Sequence, residues 1–142
     1  MIHDRNVTDS ILIAPQAMTN SATVTANLDR KGAAYATVRI AFASELNTNA
    51  VGPTLSLLES DDTVVTNFAT VTANRTGEDL TSAKNVIYGV DLRGRKRYLR
   101  LSVTTATAST NEDITVSALA TLSRKTEGPA GTTDAGDVVV HV

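Results

Sequence analysis

The 142-residue sequence has no cysteine and no tryptophan, only two histidines, three prolines and two methionines, and its aromatic residues make up 4% of the chain. The absence of cysteine excludes a disulfide framework, a thiol nucleophile and a thiolate metal site. The histidines, His3 and His141, both lie near the ends of the sequence, so a histidine-based triad or a buried zinc site has little to draw on. With so few rings the interior has to be built from Ala, Val, Leu and Ile, and each buried residue contributes less than an aromatic would. Thirteen basic against fifteen acidic residues leave a net charge of −2, which argues against an electrostatic grip on nucleic acid.

Long hydrophobic runs are also missing. The first apolar stretch, residues 11–14, is ended by Pro15, far short of the roughly eighteen residues of a spanning helix. No basic segment followed by an apolar one marks a signal peptide. The expectation is a soluble protein made in the cytoplasm of its producing cell, with neither membrane nor nucleic acid as partner. Serine and threonine are plentiful, but no paired base activates a hydroxyl, and no glycine-rich strand-to-helix turn cradles phosphate. The acidic run Glu59, Asp61, Asp62 lacks the spacing of an EF-hand. No catalytic residue, cofactor or metal ligand is assigned.

What the sequence has is alternation, the signature of half-buried strands. Ala22, Val24, Ala26 and Leu28 share one face of a strand. Val38, Ile40 and Phe42 point inward against Thr37, Arg39 and Ala41, and Ile114, Val116, Ala118, Ala120 and Leu122 repeat the pattern. The segment 11–15, ILIAP, reads as an edge strand because proline cannot donate to a sheet. Residues 54–58 and 63–68 read as a hairpin around the acidic turn ESDD. A polar stretch from 74 to 84 reads as a connection between sheets.

The chain is organised around residues 90–104, VDLRGRKRYLRLSVT. Val86, Tyr88, Val90 and Leu92 on one side and Leu99, Leu101 and Val103 on the other predict two strands, read as a hairpin with Gly94 at its tip. Arg93, Arg95, Lys96, Arg97 and Arg100 cluster there. They read either as a solvated turn that keeps the end of a sheet soluble or as a basic knuckle that docks on an acidic surface. Residues 1–20 form an N-terminal arm and edge strand, 21–125 the β domain, and 126–142 a Gly/Ala/Thr spacer ending in a short β-branched strand. That strand, with Val138, Val139 and Val140, either folds back on its own domain or adds to a neighbouring subunit's sheet. The expected fold is all-β, a single-domain jelly roll or β-sandwich of about eight strands with extended terminal arms.

Three segments carry a resemblance: residues 55–62, LSLLESDD; residues 90–104; and residues 120–125, ATLSRK. Together they resemble small structural proteins of tailed bacteriophages, with the likeness running from about Ala34 to Lys125 and leaving both arms outside. The resemblance implies a head decoration or cement protein, a non-enzymatic homotrimer that binds the major capsid protein on the outer surface of the virion. It further implies that Arg93, Arg95, Lys96 and Arg97, with the arm strand at Val138, Val139 and Val140, contact the partner. Two other readings stand beside it. One is a neck, tail or fibre protein; the other is a carbohydrate-binding sandwich, for which only Tyr35, Tyr88 and Tyr98 could supply a sugar platform.

Overall fold

The computed structural model describes residues 7–19, 21–43, 52–72, 74–75, 83–105, 114–124 and the strand Val138–His141. Among the described residues nine strands follow in chain order: β1 (Val7–Met18), β2 (Thr23–Asp29), β3 (Tyr35–Phe42), β4 (Thr54–Ser60), β5 (Ala69–Thr70), β6 (Lys84–Asp91), β7 (Tyr98–Thr104), β8 (Ile114–Ser123) and β9 (Val138–His141). One sheet has the order β1-β8-β3-β6-β9 and the other β2-β7-β4-β5. Strands β1 to β8 pair antiparallel in a nested set, β1 with β8, β2 with β7, β3 with β6 and β4 with β5. That is a long antiparallel ribbon folded over on itself, the jelly roll.

The alternation dictates what lies between the sheets. Ala36, Val38, Ile40 and Phe42 of β3 face Leu55 and Leu57 of β4 and Leu99, Leu101 and Val103 of β7 across an interior that is almost wholly aliphatic. Tyr88 is the one ring among the most deeply buried side chains. Thr37 and Arg39 occupy the outer face as expected, and Gly89 and Thr37 stand opposite one another in the β3·β6 ladder.

Three expectations about connections are corrected. Residues 90–104 do not form a hairpin. β6 pairs with β3 and β9, whereas β7 pairs with β2 and β4 in the opposite sheet, so residues 92–97 arch across the sandwich. Both strands bury one face, and that periodicity is the same whether consecutive strands pair or face each other. Residues 63–68 are not the return strand of a hairpin either. The chain there makes bends and a single 3-10 turn, Val65–Asn67, and only Ala69–Thr70 pairs with β4. The cause is Asp62, whose carboxylate accepts the Val64 N–H at 2.9 Å and the Asn67 amide at 2.8 Å, winding the segment back on itself. Finally, β1 does not stop at Pro15. It continues to Met18 by shifting register between Ile11 and Ile13 and again before Gln16, which is how an edge strand accommodates a proline.

β9 pairs parallel with β6 of the same chain, Val138 opposite Val86 and Val140 opposite Tyr88. Of the two alternatives for the tail strand, this is the fold-back.

Leu101, 1% exposed at the centre of β7, tests the packing. Leu101→Ala is expected to lower the unfolding free energy by about 2–5 kcal/mol. Urea denaturation followed by far-UV circular dichroism measures it, and a loss below about 1 kcal/mol would show that the sheets do not close on this residue as described.

Candidate functional site

Nested pairing places the connections β2–β3, β4–β5 and β6–β7 at one end of the sandwich. The two connections with cations are turns of the same kind. The carbonyl of Arg30 accepts the Ala33 N–H at 2.8 Å with Gly32 at φ +77°, and the carbonyl of Leu92 accepts the Arg95 N–H at 3.1 Å with Gly94 at φ +82°. A positive φ at the third residue of a four-residue turn, with the second residue in the ordinary region, defines type II and calls for glycine.

The turns are tied to each other. The Arg30 backbone N–H donates to the Arg97 carbonyl at 3.1 Å, and its guanidinium donates to the Lys96 carbonyl at 2.7 Å and to the Arg95 carbonyl. The Lys96 N–H in turn donates to the Glu59 carboxylate at the end of β4. Ala34 joins two further segments, since its N–H donates to the Ser123 carbonyl and its carbonyl accepts the Leu92 N–H, both at 2.8 Å. Ser60 stands opposite Tyr98 in the β4·β7 ladder. Residues 59–62, 92–97 and 122–124, separated widely in sequence, therefore meet at one end.

The knuckle is basic in composition but largely neutralised in place. Arg93 bonds the Asp91 carboxylate at 2.6 Å, Arg97 bonds Asp29 at 2.8 Å, and Arg95 lies 3.8 Å from Glu59. Among the described residues, Lys96 alone of the four predicted contact cations makes no salt bridge, and its charge acts on the Asp62 carboxylate only through space. Arg100 is not at the tip at all. It is 8% exposed on the outer face of β7, where it donates to Asn27 at 2.8 Å and lies over the Phe68 ring, 3.8 Å from its centre. Val138, Val139 and Val140 sit in β9 on the edge of the five-stranded sheet, opposite Val86, Ile87 and Tyr88 of β6.

The carboxylates record the pairing. The guanidinium and backbone N–H of Arg93 hold Asp91 down to about 2 from its ordinary 3.8. The Arg97 guanidinium lowers Asp29, and the Asn67 amide and Val64 N–H lower Asp62. Arg93 and Arg97 are raised by the same partners.

The aromatic rings are committed elsewhere. Tyr88 is buried, Tyr35 is covered by Arg93 at 5.1 Å and half-buried Tyr98 by Arg97 at 5.0 Å, while Phe42 is in the core. None of them forms an exposed platform. No group of His, Asp or Glu among the described residues could hold a metal ion.

Arg30 is the residue that the sequence reading missed. Its signal was the string Arg30-Lys31-Gly32-Ala33, a charged turn with glycine in its third place, but nothing in that string tells which carbonyls its guanidinium will reach.

Among solved structures the chain is similar to infectious bursal disease virus of the Gt strain, with TM-score 0.53 and 11% identity over 83% of this chain and 32% of that one. It is also similar to the VP2 subviral particle of infectious bursal disease virus, at 0.50 and 14% over 82% and 31%. The enzymatically active domain of bacteriophage CBA120 tailspike protein 4 matches at 0.52 and 10% over 82% and 19%. The likeness is one of fold. The chain spans about a third or less of the length of each of these structures. No protein-family model and no curated protein matches it.

Two outcomes follow from the turn cluster. A carboxylate with a lowered value stabilises the fold fully above its ordinary value and loses that contribution as the pH falls through the lowered one. The thermal midpoint of the natural protein should exceed that of Asp91→Asn above about pH 4, with the difference fading as the pH approaches 2. A difference that persists unchanged at pH 2 would contradict the Asp91–Arg93 pairing. Arg30→Ala removes charged donors from two carbonyls at a partly exposed site and should cost about 1–2 kcal/mol in denaturant melts. Arg30→Lys, with no fork to span both carbonyls, should recover little of it.

Proposed function

We propose that this chain is a structural protein of a tailed-phage virion, a head decoration or cement protein bound to the outside of the major coat protein lattice as a homotrimer. The observation that carries the reading is convergence. The three segments resembling small phage structural proteins lie far apart in sequence, and the jelly roll brings Glu59, residues 92–97 and Ser123 from them to one end, tied together through Arg30, Ala34 and Glu59. The fold shared with a viral capsid protein and a phage tailspike domain is consistent with it.

On this reading the turn cluster is the docking surface. Its backbone is already ordered by internal hydrogen bonds, so little freedom is lost on binding. Its charge is a pattern of alternating sign, set by Asp29, Glu59, Asp91 and their arginines, and it favours one register of contact over bulk attraction to an acidic shell. Lys96, which acts on Asp62 without a salt bridge, is the cation open to a partner's carboxylate. Each exposed ion pair contributes only about 0–1 kcal/mol, and holding a shell against outward pressure comes from many such contacts multiplied by symmetry. The role is mechanical and non-enzymatic. The tailspike likeness favours one second reading, a tail or neck position for the same module.

Co-sedimentation of the purified protein with expanded phage heads that lack it tests the proposal. Saturable binding at a fixed ratio to coat protein, starting from a trimer in light scattering, is the expected result, and Lys96→Ala with Arg95→Ala should lower occupancy, more at low salt than at high. Protein that stays in the supernatant overturns the decoration role; full occupancy of the double variant at every salt concentration overturns the part given to the knuckle.

A further inference from the structure

We infer that β2 is a docking edge for β2 of a second copy of this chain, the two strands pairing antiparallel about a two-fold axis centred on Ala26. The inference is independent of the capsid reading.

The two sheets have four outer strands: β1, β9, β2 and β5. Three are blunted in the ways that keep sheet edges from recruiting another chain. β1 carries Pro15 and two register shifts, β5 is two residues long, and β9 is four. β2 has none of these devices. It runs seven residues, TVTANLD, paired one to one with β7 without a shift, and its first six residues carry no charge and no proline.

Its unpaired groups can be located by parity. The Thr105 N–H donates to the Ala22 carbonyl at 2.9 Å and the Arg30 N–H to the Arg97 carbonyl at 3.1 Å, and both pairs continue the β2·β7 register. In an antiparallel ladder, hydrogen-bonded and non-hydrogen-bonded pairs alternate. The even-numbered residues of β2 therefore bond to β7, while the N–H and carbonyl groups of Thr23, Thr25, Asn27 and Asp29 point away from it. The interior is also open along this side: Ala22, Val24 and Ala26 pack against the core but are only partly buried.

The occupant follows from the strand's own sequence. Pairing about Ala26 sets Thr25 opposite the partner's Asn27 and Thr23 opposite the partner's Asp29, so that every outward N–H meets an outward carbonyl. Val24 falls opposite the partner's Leu28, and Ala26 opposite the partner's Ala26. Apolar faces apolar on the inner side, polar faces polar on the outer side, and no like charges are opposed. Asp29 keeps Arg97 on its side chain while its backbone pairs. A contact of seven residues a side is smaller than the roughly 800 Å² per partner of a standard interface, so the association is weak and depends on concentration. Where copies are already joined through other surfaces, the same edge links neighbouring assemblies across two-fold axes.

Amide hydrogen exchange of the full chain, measured across a concentration series alongside sedimentation equilibrium, tests this. The amides of Val24, Ala26 and Leu28 should exchange slowly at every concentration. Those of Thr23, Thr25, Asn27 and Asp29 should slow by about tenfold or more as the mass doubles. Thr25→Pro removes an outward N–H and leaves the bonds to β7 in place, a position that an edge strand tolerates. It should keep the circular dichroism spectrum and lose the doubling; if it fails to fold, the exchange pattern of the natural protein decides. Outward amides that stay fast at every concentration, a mass that never doubles, or protection already complete in the single copy would each overturn the inference.

Discussion

Nested antiparallel pairing is the constraint on which the rest of this molecule depends. When β1 pairs with β8, β2 with β7, β3 with β6 and β4 with β5, the chain has to cross between sheets at almost every connection. Alternate connections then collect at the same end. The meeting of Asp29, Glu59, Asp91 and the arginines is thus a consequence of topology, and the salt bridges ornament it without creating it. Isolated exposed pairs of this kind are too weak to direct a fold. The backbone ties through Arg30 and Ala34 give the end its fixed shape.

The pairing in turn rests on an interior with few rings. Leu, Ile, Val and Ala fill most of it, with Tyr88 and Phe42 the aromatic rings of the core cluster. Such a core interdigitates well between two sheets, since β-branched and small side chains suit a pleated surface, but each position contributes modestly. The fold compensates with main-chain bonding across two sheets and with turns whose glycines already sit at positive φ. It is less economical at its margins, where the inner residues of β2 remain partly open to solvent.

Faces were legible in the sequence and partners were not. The inward sets on β2, β3, β6, β7 and β8 could be read from alternation, because a period of two reports which side is buried. Whether β6 pairs with β7 or stands across the core from it leaves that period unchanged, so the arch at 92–97 was read as a hairpin. Val64 and Val65 looked like strand residues from their branched side chains, yet local bonding to Asp62 prevailed and left Val65 70% exposed. In the turn cluster, the cations Arg93, Arg95, Lys96 and Arg97 were visible as a run, but the carboxylates that neutralise its three arginines come from three different strands. Arg100 looked like part of the run and is separated from it by one pleat, which turns its side chain onto Asn27 and Phe68.

The central claim is that the end where these turns meet is the surface that touches the coat lattice. A cryo-electron microscopy reconstruction of heads saturated with the protein tests it most directly, because the sandwich has two distinguishable ends. The account predicts density for residues 30–33, 61–68 and 92–97 against the coat protein, with Lys96 at a carboxylate. The same end turned toward solvent, or the protein absent from the lattice and found at the neck or tail, would contradict it.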